Sequence, residues 1–157
     1  MSELATIPRH NLGEGSTSSG SVLIIDDEAA IRESLETLLE MEGYDVQSAA
    51  TAEEGLNRIG DRPYDLVLLD LALPDRNGID LLAELHSHDP QLAVIMITAY
   101  GTVENAVKAM QAGATNFVQK PWDNEKLLAD IRAAVARHRA EEENVQLKRA
   151  LKQRYNF

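Results

Sequence analysis

At 157 residues the chain has room for one ordinary domain with appendages, which excludes two full-sized cores. Its 15 Lys+Arg against 26 Asp+Glu give a net charge of −11 at 44% hydrophobic content, a globular composition that repels nucleic acid and anionic membrane over most of the surface. Zero cysteines exclude a disulfide framework, thiolate-bound zinc and a cysteine nucleophile and suit a reducing cytoplasm, and the longest apolar stretch, Leu92 to Tyr100, falls well short of the roughly 20 residues that cross a bilayer.

Residues 13–20 are almost wholly Gly, Ser and Thr, so residues 1–20 read as a flexible arm, with no apolar run of a secretory leader. Ser21 to Ile25 is a buried strand. A helix follows from about Ala29 to Met41, its apolar positions Ile31, Leu35, Leu38 and Leu39 at helical spacing, and Gly43 stops it. Asp45 to Ala49 is a second strand, and Thr51-x-x-Glu54 a capping box opening a helix that ends near Gly60. Leu66 to Leu69 is a wholly apolar third strand; Gly78 to His88 is a helix closed by Asp89-Pro90. Leu92 to Ile97, Thr102 to Ala112 and Asn116 to Gln119 continue as strand, helix and strand, and a fifth helix starts around Asp123. Strict alternation with strands buried on both faces predicts a five-stranded, doubly wound parallel α/β sheet over residues 21–140 with a C-terminal helical extension.

In such sheets reactive groups collect at the carboxyl ends of the strands. There the sequence puts Asp26 and Asp27, Asp70, Thr98 and Lys120, each directly after an apolar run. Any one of them could simply mark a strand exit. Together, three carboxylates close in space must either take up protons or hold a cation, and oxygen donors alone favour a hard ion, Mg²⁺ first. Lys120 and Thr98 suit phosphoryl oxygens, so the set contains the parts needed to move a phosphoryl group onto an aspartate.

The motifs IIDDE (24–28), LVLLDLALPDRNG (66–78), MITAYG (96–101) and FVQKP (117–121) resemble the receiver domain of bacterial two-component response regulators. The resemblance implies the flavodoxin-like strand order 2-1-3-4-5. It implies that Asp70 accepts a phosphoryl group from a sensor histidine kinase, that Asp27, Asp70 and the Ala72 carbonyl bind Mg²⁺ directly, and that Asp26 acts mainly through a water. Lys120 would pair with the phosphoryl group, Thr98 would swing in to hydrogen-bond it, and Phe117 would be the switch aromatic; the Lys120-Pro121 bond would be cis. Ala72 and Tyr100 occupy the two positions that tune the phosphoaspartate lifetime, and a small neutral and a bulky aromatic side chain there suggest slow self-dephosphorylation. The plainer reading of Phe117 is a core residue. The histidines 10, 86, 88 and 138 lack metal-binding spacing and are expected at the surface, Asp75 in a loop and Asp80 on a helix surface. Gly78, Gly101 and Gly113 read as turn and cap residues, since no phosphate-cradling motif is present.

Residues 132–154 carry seven Lys/Arg against three Glu, a net +4 against −15 for residues 1–131. Helix-favouring sequence runs to about Arg154, and a weak seven-residue repeat passes through Ala140, Asn144, Leu147 and Leu151, suggesting a paired helical linker over 141–157 and a dimer; the plainer reading is a solvated helix. This stretch and residues 101–114 resemble the NtrC-like sigma-54-dependent activators, which implies an AAA+ ATPase output domain beyond the linker. A receiver with a direct DNA-binding output is the alternative. An aspartyl-nucleophile phosphatase would need a second acid where Ala72 stands, and a flavin binder a phosphate loop where Asp26-Asp27-Glu28 stands.

Overall fold

The computed structural model describes residues 18–155. The chain alternates β1 (Ser21–Ile25), α1 (Ala29–Met41), β2 (Asp45–Ala49), α2 (Ala52–Asp61), β3 (Leu66–Leu69), α3 (Gly78–His88), β4 (Ala93–Thr98), α4 (Val103–Gln111), β5 (Asn116–Gln119) and α5 (Asn124–Tyr155). All five strands are parallel, in the order β2-β1-β3-β4-β5. The order reverses between β1 and β3, so a crevice opens beyond their carboxyl ends.

Two apolar layers follow from the period-two alternation of side chains along each strand. Leu23, Ile25, Val67, Leu69, Val94 and Met96 face α2, α3 and α4, meeting Leu81, Leu82, Leu85 and Ala109. Their neighbours Val22, Ile24, Leu66, Leu68, Ile95 and Ile97 face α1 and α5, meeting Leu35, Leu39, Leu127, Ile131 and Val135. Burial of β3 and β4 on both sides explains their unbroken hydrophobic sequence. Helix starts are capped from the chain itself: Thr51 accepts from the Glu54 N–H, Asn77 from Ile79 and Thr102 from Asn105. In the expected capping box the return bond reaches one residue further back, Glu54 accepting the Ala50 N–H at 2.8 Å.

Three expectations need correction. Most of the predicted arm, residues 1–17, lies outside the described residues, but Ser18–Gly20 are tied to the domain: the Ser19 N–H donates to the Gly43 carbonyl at 3.0 Å, and Gly20 is buried. β4 is shifted one residue along, so Thr98 closes the strand and pairs in register with Gln119. His138 is not a surface residue; it is 7% exposed, because it continues the apolar stripe of α5 through Ile131, Ala134 and Val135 at helical spacing. His86 is half-buried with Nε2 2.9 Å from the Leu92 carbonyl, and His88 is exposed, whereas His10 is among the undescribed residues.

Candidate phosphoryl and cation site

β1 and β3 are hydrogen-bonded neighbours, and Asp26, Asp27 and Asp70 are the first residues beyond them, which forces three carboxylates to one spot. One oxygen from each lies within 4.8 Å of the others. Asp26 and Asp70 are buried, at 3% and 5% exposure, while Asp27 is open to solvent. β5 delivers Lys120 from two strands away. Its Nζ lies 2.9 Å from Asp26 Oδ2, 3.3 Å from Asp70 Oδ2 and 3.2 Å from Glu28 Oε1. The Lys120–Pro121 peptide is cis, as expected.

One ammonium thus serves several carboxylates. Burial pushes the Asp26 carboxyl up, and the hydrogen bonds from Lys120 and the Glu28 N–H only partly oppose this. For Lys120 burial acts the other way, but the Asp26 hydrogen bond and the charges of Asp26 and Asp70 outweigh it and hold the ammonium above its ordinary value. The residual negative charge on all-oxygen donors fits a hard divalent cation. Asp70 Oδ1 is 3.4 Å from the Ala72 N–H, and Ala72 itself pairs across the loop with Asn77.

Thr98 is wholly buried at the end of β4. Its Oγ1 accepts the Tyr100 N–H at 3.1 Å and its carbonyl the Lys120 N–H at 2.9 Å, which ties β4 to the lysine. Tyr100 is 60% exposed and shares a shallow recess with Ala72, Asn77 and Asn105. Phe117 is half-buried, packed against the layer beneath α2–α4. Asp26, Asp27, Asp70, Thr98 and Lys120 therefore lie at one end of the sheet, with Phe117 set back along β5 opposite Met96.

Residues to which the sequence pattern gives no site role also belong here. Glu28 shares Lys120, and one helical turn later the Arg32 guanidinium donates to the Asp26 carbonyl at 2.8 Å, fixing the acidic turn from behind. Asp75 accepts the N–H groups of Ala52 and Glu53 at 2.9 and 3.0 Å, reaching from the β3–α3 loop to α2. Adjacency to the Asp pair could have pointed to Glu28; nothing local points to Asp75.

Residues 22–132 match the family model described as "Response regulator receiver domain". Over 106 residues the chain is 42% identical to the response regulator protein PilR of Pseudomonas aeruginosa, spanning 68% of this chain and 24% of that protein. It is 40% identical to a CheY-like receiver domain protein from Methanospirillum hungatei, with a TM-score of 0.74 over 77% of this chain and 97% of that one. The structure of NtrX from Brucella abortus with ATP matches at 33% identity and a TM-score of 0.77, over 82% of this chain and 30% of NtrX. The chain thus spans between about a quarter and just over half of the curated relatives it matches, from 24% to 55%.

Proposed function

Because the chain belongs to the response regulator receiver family, a regulatory rather than metabolic class, we propose that Asp70 is its phosphoacceptor and that a sensor histidine kinase is the donor. The observation that carries this reading is the convergence of the Asp26, Asp27 and Asp70 carboxylates on one spot, with the Lys120 ammonium against Asp26 and Asp70, at the crevice where strand order reverses. An Asp70 carboxylate oxygen attacks the phosphorus of a phosphohistidine, the P–N bond breaks, and the imidazole nitrogen leaves with the electron pair. Lys120 is held where its charge meets the transferred oxygens. Asp27, Asp70 and the Ala72 carbonyl would ligate Mg²⁺, with Asp26 mainly through a water; when bound, the ion supplies neutralising charge to the phosphoryl oxygens.

Thr98 Oγ1 accepts from Tyr100 and keeps its own proton to donate, so the hydroxyl can turn toward a phosphoryl oxygen. Phe117, half-buried on the neighbouring strand, would turn inward with that movement. Both changes alter the outer face of α4, β5 and α5. On α4 that face carries Val103, Val107 and Met110, exposed to 81%, 48% and 48%. On the extension of α5, Leu147 and Leu151 are 61% and 45% exposed along the stripe that includes Ala140 and Asn144. A parallel pair of these helices would bury that stripe and set Glu143 of one copy beside Lys148 of the other, so the readout is a rearranged homodimer. The similarity to PilR and NtrX supports an NtrC-like setting, with an AAA+ output domain driven by this rearrangement. Among the described residues no helix is long and apolar enough to cross a membrane.

The test is Asp70→Asn, which is isosteric and should fold normally. With acetyl phosphate and Mg²⁺ it should take up no phosphate while the parent chain is labelled near stoichiometrically; equal labelling would overturn the assignment.

A further inference from the structure

The loop between β3 and α3 carries Ala72, the backbone ligand of the cation reading above, on which this inference rests. Most of its ties run to α3 or within itself. The Gly78 N–H donates to the Leu71 carbonyl at 2.7 Å, Asn77 caps Ile79, and Arg76 pairs with Glu84 at 2.6 Å. Gly78 is needed here, since a Cβ on it would sit 2.3 Å from the Asp70 carbonyl oxygen. Among the described residues, the hydrogen bonds from this loop to α2 are those of Asp75 alone. Its two carboxylate oxygens take the first two N–H groups of α2, and Thr51 takes the third. A side chain bound through both oxygens to two consecutive amides has its position fixed as well as its energy lowered.

From this we propose that Asp75 is a positioning residue for the cation site: by bridging to α2 it holds the far side of the loop, so that Ala72 keeps its place opposite Asp26, Asp27 and Asp70. The backbone N–H bonds from Ala52 and Glu53 hold the Asp75 carboxyl below its ordinary range. A capping role for α2 alone would be the simpler account. It makes a different prediction, because Thr51 caps the same helix without touching the loop.

The experiment is a calorimetric titration with MgCl₂ at fixed ionic strength, beside thermal melts of each variant. Asp75→Ala should weaken Mg²⁺ binding about tenfold, the low end for losing a group that orients a metal ligand, and Asp75→Asn about threefold, since it loses the same charge but keeps one acceptor oxygen. Thr51→Ala should lower Tm and leave Mg²⁺ affinity unchanged. The inference is overturned if Asp75→Ala binds within twofold of the parent chain, if Ala and Asn weaken binding equally, or if Thr51→Ala weakens it as much. Parent-like binding by Asp27→Ala would sink the cation reading itself and this inference with it.

Discussion

β3 has a buried or nearly buried aspartate just outside each end, and the two are solvated alike but balanced differently. Asp70, at the carboxyl end, shares one lysine with Asp26 and Glu28, with Asp27 alongside. Asp65, at the amino end, has several donors: the Ser21 N–H at 3.0 Å, His138 Nδ1 at 3.0 Å and Arg139 Nε at 3.3 Å, with Glu142 3.7 Å from the other ring nitrogen of His138. Burial would raise the Asp65 carboxyl, but the His138 hydrogen bond, the Ser21 N–H and the Arg139 charge outweigh it and hold it low. At the other end burial wins and Asp26 is raised. One end of the sheet is neutralised and fastens α5; the other keeps an excess of negative charge that a proton or an added cation would relieve. Imbalance, more than burial, separates a binding site from a structural ion pair.

The comparison can be broken most decisively at the amino end. Asp65→Ala should cost about 3 kcal/mol in denaturant melts, because it leaves the buried His138 ring, the Ser21 N–H and the Arg139 guanidinium without their shared acceptor, yet leave Mg²⁺ affinity intact. A milder change, His138→Gln, should cost about 1 kcal/mol at pH 6, where the charge-assisted bond is whole. The Asp65 hydrogen bond holds the His138 imidazolium above its ordinary value, so this stabilisation is present below the unfolded pKa of about 6.5 and is lost as pH rises through the higher folded value. The gap between the two proteins should therefore close in alkaline melts; a constant gap would mean that packing, and no proton, is responsible. The smallest effect belongs to the carboxyl end and has the opposite sign. Asp27→Asn relieves repulsion and should raise Tm by roughly 2 °C without divalent ions. Millimolar MgCl₂ should reverse that order, because only the parent chain gains stability from binding.

Much of this organisation was legible in the sequence where signals are local. The wholly apolar run Leu66–Leu69 and the helical spacing of Leu35 and Leu39 report their own burial, and the polar residues directly after strands report the sheet's reactive edge. Thr98 and Lys120 were found the same way. What stayed hidden joins distant segments. Asp65 meets His138 across 73 residues and Asp75 meets Ala52 across 23, and no local pattern encodes either. The burial of His138, by contrast, has a local signal, because the residue lies on the helical stripe running through Ile131 and Val135. The order of β2 relative to β1 and β3 came from the family likeness, since alternation alone leaves it open.

α5 runs for 32 residues without a break, and past His138 almost every side chain faces solvent. At 1.5 Å per residue, the projecting part reaches about 25 Å, so a tilt of about 5° at its root displaces the tip by roughly 2 Å. The same rod carries angular information. Each residue of its length turns the far end by about 100°, which makes the number of residues past His138 as consequential as their identity for the direction that end faces.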